Sequence, residues 1–373
     1  MQHAIRVFVG TYTAPIAPDL EPVPGSTAVG VYVFTFNDDT GELSPAGAPA
    51  RSTNPSFLVA DIRGRYLYAV NEVASLGGRT GGSVTAFAVD ALSGELTPVK
   101  TVSSGGAGPC HIALDTAGKN LLVANFLGGS LSRIPVRGYG EIEEPAELVR
   151  HEGESVHPTM QTKAHAHMVV TDPLTGTLYV PDLGADRVFA YTRTDKGKLV
   201  AENSLSIRAA AGAGPRHMDF GADGACAYLI NQLDSTVAVF GRHESGRGLV
   251  ERQVISTLPP GYAGSNDAAD IHVHPSGHFL YASNRGHDSV VIYAIDPDTG
   301  MLEWLGHVPS GGRTPRHMAF DPEGKHLLVA NHDSDTIGIF RIDSKTGNLE
   351  EIQRFETPAP ACIVATDYRS LSG

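Results

Sequence analysis

Arg216, Arg285 and Arg316 place guanidinium groups inside otherwise apolar stretches, and Glu72, His167, Gln232 and His332 share that setting. A guanidinium fork binds a carboxylate or phosphate bidentately. An imidazole titrates near neutrality and can accept a proton from water. A carboxylate can do the same, whereas a glutamine amide only donates or accepts hydrogen bonds. These residue types suit a small anionic ligand, phosphate or carboxylate, held bidentately beside groups that can exchange a proton. No Gly-x-Ser-x-Gly elbow offers a covalent nucleophile. Three arginines without enough carboxylates nearby are more easily explained by an anionic ligand than by ties between structural elements.

The elements that must position them repeat. Six segments align: "NPSFLVADIRGRYLYAVNEV" from 54, "GPCHIALDTAGKNLLVANFL" from 108, "AHAHMVVTDPLTGTLYVPDLG" from 164, "GPRHMDFGADGACAYLINQL" from 214, "AADIHVHPSGHFLYASNRG" from 268 and "TPRHMAFDPEGKHLLVANHD" from 314. Each reads as strand, Gly-bearing turn, strand. A third strand follows each, such as "DSVVIYAID", and often a fourth after a turn such as "TGMLEWLG". Apolar and polar residues alternate with period two, and β-branched and aromatic residues are common, which are strand signals. Four antiparallel strands recurring about every 50 residues predict a β-propeller. Residues 5–10, 30–36 and 42–46 offer second, third and fourth strands with no first, and 358–368 offers a first with no second. Joined, they close a seventh blade and remove the open sheet edges. The expectation is therefore all-β: one seven-bladed propeller domain over residues 1–373, its closing blade shared between the termini.

The repeat then sorts the polar residues by rung. Five residues before each turn stand Ser56, Cys110, His167, Arg216, Ala269 and Arg316, with Ala361 in the closing blade. Their next neighbours, Phe57, His111, Met168, His217, Asp270, His317 and Cys362, point the other way. For that second ring, packing between blades is the better reading. The ends of the second strands give Glu72, Phe126, Leu183, Gln232, Arg285 and His332, with Tyr12 in the closing blade. Glu72, His167, Arg216, Gln232, Arg285, Arg316 and His332 are thus expected around a cup at one mouth of the channel. His165 and Asn284, next to these rungs, are expected to help bind substrate. "HAH" at 165–167 puts two imidazoles on one strand face, but no carboxylate is spaced near it, so neither a metal nor another cofactor is expected.

Composition narrows the partners. A formal net charge of −13 opposes nucleic-acid binding, which needs a basic face. It leaves room for a small anion held by a local arginine cluster. Charged residues at 18% and hydrophobic ones at 41% are ordinary for a folded chain, and Gly 42 and Pro 24 suit many turns. The three cysteines, Cys110, Cys226 and Cys362, are far apart and read as free thiols. "MQHAIRVFVGTYT" has no long apolar core, and no stretch reaches the ~18 apolar residues of a membrane span. The expectation is a cytoplasmic protein with no membrane partner.

On "VGTYT", "YAVNEV", "GPCHIALD", "HAHMVVTDP", "GAGPRHMDF", "DIHVHPSGHFLYASNRG" and "PRHMAFDPEGKHLLVAN", the sequence resembles the seven-bladed lactonase family across essentially its whole length. That family holds the propeller-type 6-phosphogluconolactonases and the fungal carboxy-cis,cis-muconate cyclases. The resemblance implies His167, Arg216 and Arg285 as catalytic residues. It also implies a glutamate where this chain has Gln232, a departure that moves any proton transfer to Glu72 or His167. The leading expectation is hydrolysis of a sugar-acid lactone such as 6-phosphogluconolactone, with His167 activating water, Glu72 in reserve and Arg316 and His332 binding substrate. Two alternatives stay open: lactone-forming cycloisomerisation of a muconate-type dicarboxylate, and a diverged propeller that binds a ligand or protein without catalysis.

Overall fold

The computed structural model describes residues 5–16, 26–76, 78–194 and 197–369. It contains seven antiparallel sheets of four main strands each. The innermost strands are Leu58–Ala60, Pro109–Leu114, Val170–Thr171, Pro215–Phe220, Asp267–Val273, Pro315–Phe320 and Pro360–Asp367. The last of these pairs with Ile5–Thr11, which pairs with Gly30–Asn37 and then Glu42–Pro45. The terminal segments therefore build one blade, as the fragmentary repeats at the two ends predicted.

Three of the inner turns share one local chemistry. Asp61, Asp115 and Asp321 accept backbone N–H bonds from residues just beyond their turns. Gly64, Gly118 and Gly324 of the same turns have φ of 60°, 63° and 69°, a conformation that costs a Cβ-bearing residue energy. At the other end of the second strand, Asn71, Asn125, Asn231 and Asn284 tie the strand to the start of the third through Ser or Thr hydroxyls.

The core lies between blades. One cluster joins Tyr228, Ile230 and Val239 of the fourth blade to Leu280, Ala282 and Val291 of the fifth. Another joins Val7, Phe36 and Leu43 of the closing blade to Leu328 and Ile339 of the sixth. Side chains of the second ring add hydrogen bonds from blade to blade. Val169 N–H donates to His111 Nδ1, Met318 N–H to Asp270 Oδ2, Ile363 N–H to His317 Nδ1 and Leu58 N–H to Cys362 Sγ. The blade-packing role expected of this ring has this as its physical basis.

The third blade departs from the repeat. Its inner strand shrinks to Val170–Thr171, with an isolated bridge between Ala166 and Asp182. Pro181 in the neighbouring strand has no N–H to return to the ladder. His167 N–H still donates to the Pro181 carbonyl at 2.9 Å, and the His167 carbonyl instead faces the Cys110 thiol at 3.3 Å. The "HAH" segment therefore keeps one bridge and single backbone bonds to the neighbouring strand in place of a continuous ladder.

Candidate active site

A cavity of about 280 Å³ opens at the mouth where the second strands end. Its polar lining is Tyr12, Glu72, Cys110, His167, Gln232, Arg285, Arg316 and His332, and its apolar wall is Ile16, Phe126, Leu127 and Met160. Six of the seven second-strand-end positions are in that lining; Leu183 is buried elsewhere. Ile16 and Met160 come from the two long insertions, near 13–29 and 137–163, so both insertions contribute to the rim. Residues 17–25 of the first lie outside the described residues.

Glu72 is held most firmly. Its Oε2 accepts from Tyr12 Oη at 2.6 Å and from Ser56 Oγ at 2.5 Å, with Arg316 Nη2 at 4.0 Å. Arg316 Nη2 also donates to Tyr12 Oη at 2.7 Å. Burial lowers the proton affinity of Arg316, but Tyr12 and Glu72 more than restore it. Arg285 donates from Nε to the Asp267 carbonyl at 3.3 Å, and burial followed by Arg316 brings its pKa down to about 10. Gln232 Nε2 stands 3.4 Å from Asp267 Oδ1.

His167 is 5% exposed, and its Nδ1 is buried without a partner. Burial first, then Arg216, His217, Arg316 and Arg285, hold it well below the usual histidine range. It is a neutral ring in positive surroundings. His332 pairs through Nδ1 with Asp333 Oδ1 at 2.6 Å and meets the Tyr12 ring edge-on at 5.2 Å.

Three expected residues stand apart from the cavity lining. Arg216 lies behind it, 2% exposed, with Nη1 donating to the Ala269 carbonyl. Burial, then Arg285 and Arg316, hold its proton affinity well below the usual arginine range. His165 bonds through Nδ1 to the Phe126 carbonyl at 2.8 Å and stacks on that ring at 4.5 Å, so it supports the apolar wall. Asn284 is corrected outright. Its amide is spent on the Thr257 carbonyl and Ser289 and its oxygen accepts from Thr257 and Asn266, and Asn284 itself is fully buried. It is the repeated strand-end asparagine of its blade, a role already visible in "VNE", "ANF", "INQ", "SNR" and "ANH".

Sequence reasoning named Tyr12 only as a rung, Cys110 and Ser56 only as ring members, and it missed Asp267. Ser56 and Cys110 share the His167 rung, and that shared repeat position was the signal available. Asp267 precedes its repeat segment, so no alignment pointed to it.

Below the cup, Asp270, His272 and His317 bring ligand-type atoms within 4.8 Å of one another. Donors already surround that carboxylate: His217 Nδ1 at 2.7 Å, His272 Nε2 at 2.9 Å and Met318 N–H at 2.8 Å. Hydrogen bonding accounts for the cluster without a metal.

The chain matches the family model described as lactonase, 7-bladed beta-propeller, over residues 6–365. It is 35% identical to a 6-phosphogluconolactonase of Formosa agariphila, covering 84% of this chain and 86% of that one. It is 30% identical to a 6-phosphogluconolactonase of Bacillus subtilis, covering 84% of each. The solved periplasmic gluconolactonase of Pseudomonas aeruginosa superposes with a TM-score of 0.88 at 32% identity, covering 98% of this chain and 99% of that chain. Among the described residues no helix is long and apolar enough to cross a membrane. Fold, blade count and this similarity agree, and the chain belongs to the seven-bladed β-propeller lactonase family.

Proposed function

We propose that the protein hydrolyses a sugar-acid lactone, with 6-phosphogluconolactone as the first substrate to test. The carrying observation is one small cup lined by Arg285, Arg316 and a carboxylate, Glu72, held by two hydroxyl donors. The names of the relatives support lactone opening as the reaction. At about 280 Å³ the cup is below the ~300 Å³ at which drug-sized sites begin, a volume suited to a single sugar ring.

Arg285 and Arg316 bind the anionic part of the substrate and polarise the ester carbonyl, and Arg216 adds positive charge from behind. A water adds to the carbonyl carbon as it loses its proton. The tetrahedral intermediate then expels the ring oxygen, which takes a proton as the ring C–O bond breaks. For the proton acceptor, geometry favours Glu72, a carboxylate that lines the cup and is fixed by two hydroxyl donors. Protonating His167 would create an imidazolium beside Arg216, Arg316 and Arg285. Arg316 and the Tyr12 and Ser56 hydroxyls hold the Glu72 carboxylate in place at the cup for that role. His167 then serves as a neutral hydrogen-bonding group, and Gln232 as a donor to developing negative charge. The free buried thiols fit a reducing compartment, and we keep the cytoplasm as the proposed location.

The test is lactone opening measured above the spontaneous rate for the wild type, Glu72→Gln, His167→Ala and Arg216→Ala. Rate loss in all three folded variants supports the site. If none of them slows a demonstrated activity, this site assignment is wrong. Turnover of a muconate-type dicarboxylate in place of any lactone would favour cyclisation, against which Gln232 counts. Binding without turnover that survives His167→Ala would favour a non-catalytic propeller.

A further inference from the structure

Arg216 is a buried guanidinium with an unusual supply of partners. It is 2% exposed, its Nε is buried with no acceptor, and it takes part in none of the ion pairs among the described residues. Arg285 and Arg316 oppose its charge, and Asp270 offsets them in part. Besides the Ala269 carbonyl, Nη1 has one further contact, His217 Nε2 at 3.4 Å.

His217 is itself held from its other nitrogen. Asp270, 1% exposed, stands with Oδ1 2.7 Å from His217 Nδ1. Its Oδ2 accepts from Met318 N–H and faces His272 Nε2. Burial works against this carboxylate's charge, but His272 and His317 more than compensate and hold it well below the usual carboxylate range. An ionised carboxylate is acceptor-only, so the nitrogen facing it carries the proton. Burial, then Arg216, bring the His217 pKa down to about 3, so the ring is neutral and has one proton to place. With that proton on Nδ1, the Nε2 lone pair is left toward Arg216.

We propose that Asp270 and His217 are positioning residues for Arg216. The carboxylate fixes the Nδ1-protonated form of His217, and the free Nε2 gives the buried guanidinium an acceptor that holds it against the cup. The arrangement gives Arg216 a share of negative charge through a neutral ring. It does so without placing a carboxylate where it would compete with an anionic substrate. This rests on the functional reading above only for the consequence in catalysis; the tautomer stands apart from it.

Two substitutions separate positioning from packing. His217→Asn keeps a nitrogen where Nδ1 stands, so it can still donate to Asp270, but it lacks the acceptor for Arg216. His217→Gln reaches the Nε2 position with an amide oxygen and gives up the tie to Asp270. Lactone opening by His217→Asn is expected to fall roughly tenfold or more in kcat with unfolding temperature near that of wild type. His217→Gln is expected to retain more activity despite lower stability. On the wild type, 15N spectra of the histidine rings, with His217→Asn used for assignment, are expected to show Nδ1 protonated and Nε2 bare from about pH 6 to 8. A His217 protonated on Nε2 would overturn the proposal. So would a folded His217→Asn within about twofold of wild type. If the wild type opens no lactone, the functional reading fails while the spectra still decide the tautomer.

Discussion

Arg316 Nη2 lies 2.7 Å from the phenol oxygen of Tyr12, a residue 304 positions away in sequence, and that phenol donates in turn to Glu72 at 2.6 Å. The contact joins the sixth blade to the closing blade and orients the proposed base and the proposed anion binder through one oxygen. Burial raises the phenol's pKa above its usual value, so it stays protonated and can make both bonds. Tyr12→Phe removes the bridge and leaves the ring. A charge-assisted hydrogen bond of about 1.5–3 kcal/mol corresponds to a loss of roughly 10- to 100-fold in kcat/KM. Steady-state kinetics on a lactone, with circular dichroism to confirm folding, check it.

Glu72→Gln and His167→Asn test which group takes the proton. With Glu72 as base, Glu72→Gln lowers kcat by about 100-fold or more, as expected for loss of general-base assistance. His167→Asn keeps a hydrogen-bonding group and lowers kcat by less, roughly tenfold. The reverse order would return the base role to His167.

Gln232→Glu restores a carboxylate where the family resemblance implies one. It sets that charge beside Asp267, 3.4 Å from the present amide, in the same cup as Arg285. Repulsion with Asp267 and partial neutralisation of Arg285 are expected to raise KM for an anionic lactone several-fold with no gain in kcat. A rise in kcat of about tenfold or more would show that position 232, and not Glu72, is the natural place for the acid.

Arg285→Ala is expected to raise KM for a phosphorylated or carboxylated lactone by roughly 10-fold or more, and to raise it less for a neutral lactone of the same ring. Equal effects on the two substrates would remove Arg285 from the anion-binding role. Competition by inorganic phosphate gives a second measurement, because its inhibition constant should rise in the same variant.

His272 predicts how stability depends on pH. Burial disfavours its charge, but Asp270 overrides that and raises its pKa to about 9 from 6.5. A raised histidine pKa stabilises the fold fully below 6.5, and the contribution is lost as pH rises through about 9. His217 and His317, lowered to about 3 and about 4 chiefly by burial, act in the opposite direction and weaken the fold as pH drops below 6.5. The unfolding temperature should therefore decline on both sides of near-neutral pH. His272→Gln should flatten the alkaline limb and leave the acid limb in place, which a thermal melt series would show.

Much of the architecture was legible in the chain. Period-two alternation and the Asp-to-Gly turns fix strands locally, because both follow from backbone geometry within a few residues. The repeat carries that local regularity around the ring, so even the closing blade is legible from residues 5–10 and 358–368, which the structure pairs as Ile5–Thr11 and Pro360–Asp367. The same register placed Glu72, Gln232, Arg285 and His332 on one rung, since a residue's position in a repeat fixes its height and its face.

The repeat could not say which polar atoms were already satisfied. Asn284 sits beside Arg285 in sequence yet faces Thr257 and Ser289, because successive strand residues point to opposite sides. Arg216 and Arg316 share a rung, but only Arg316 lines the cup. The difference lies in neighbours supplied by other blades: Tyr12 and Glu72 for Arg316, His217 and Ala269 for Arg216. The sequence by itself determined strands, turns, blade count and the height of each side chain, all of which depend on local spacing. Only the tertiary structure decided which side chains line the cup and which polar atoms are already satisfied by neighbours. Those depend on burial and on charges brought together by ring closure from residues as far apart as Tyr12 and Arg316.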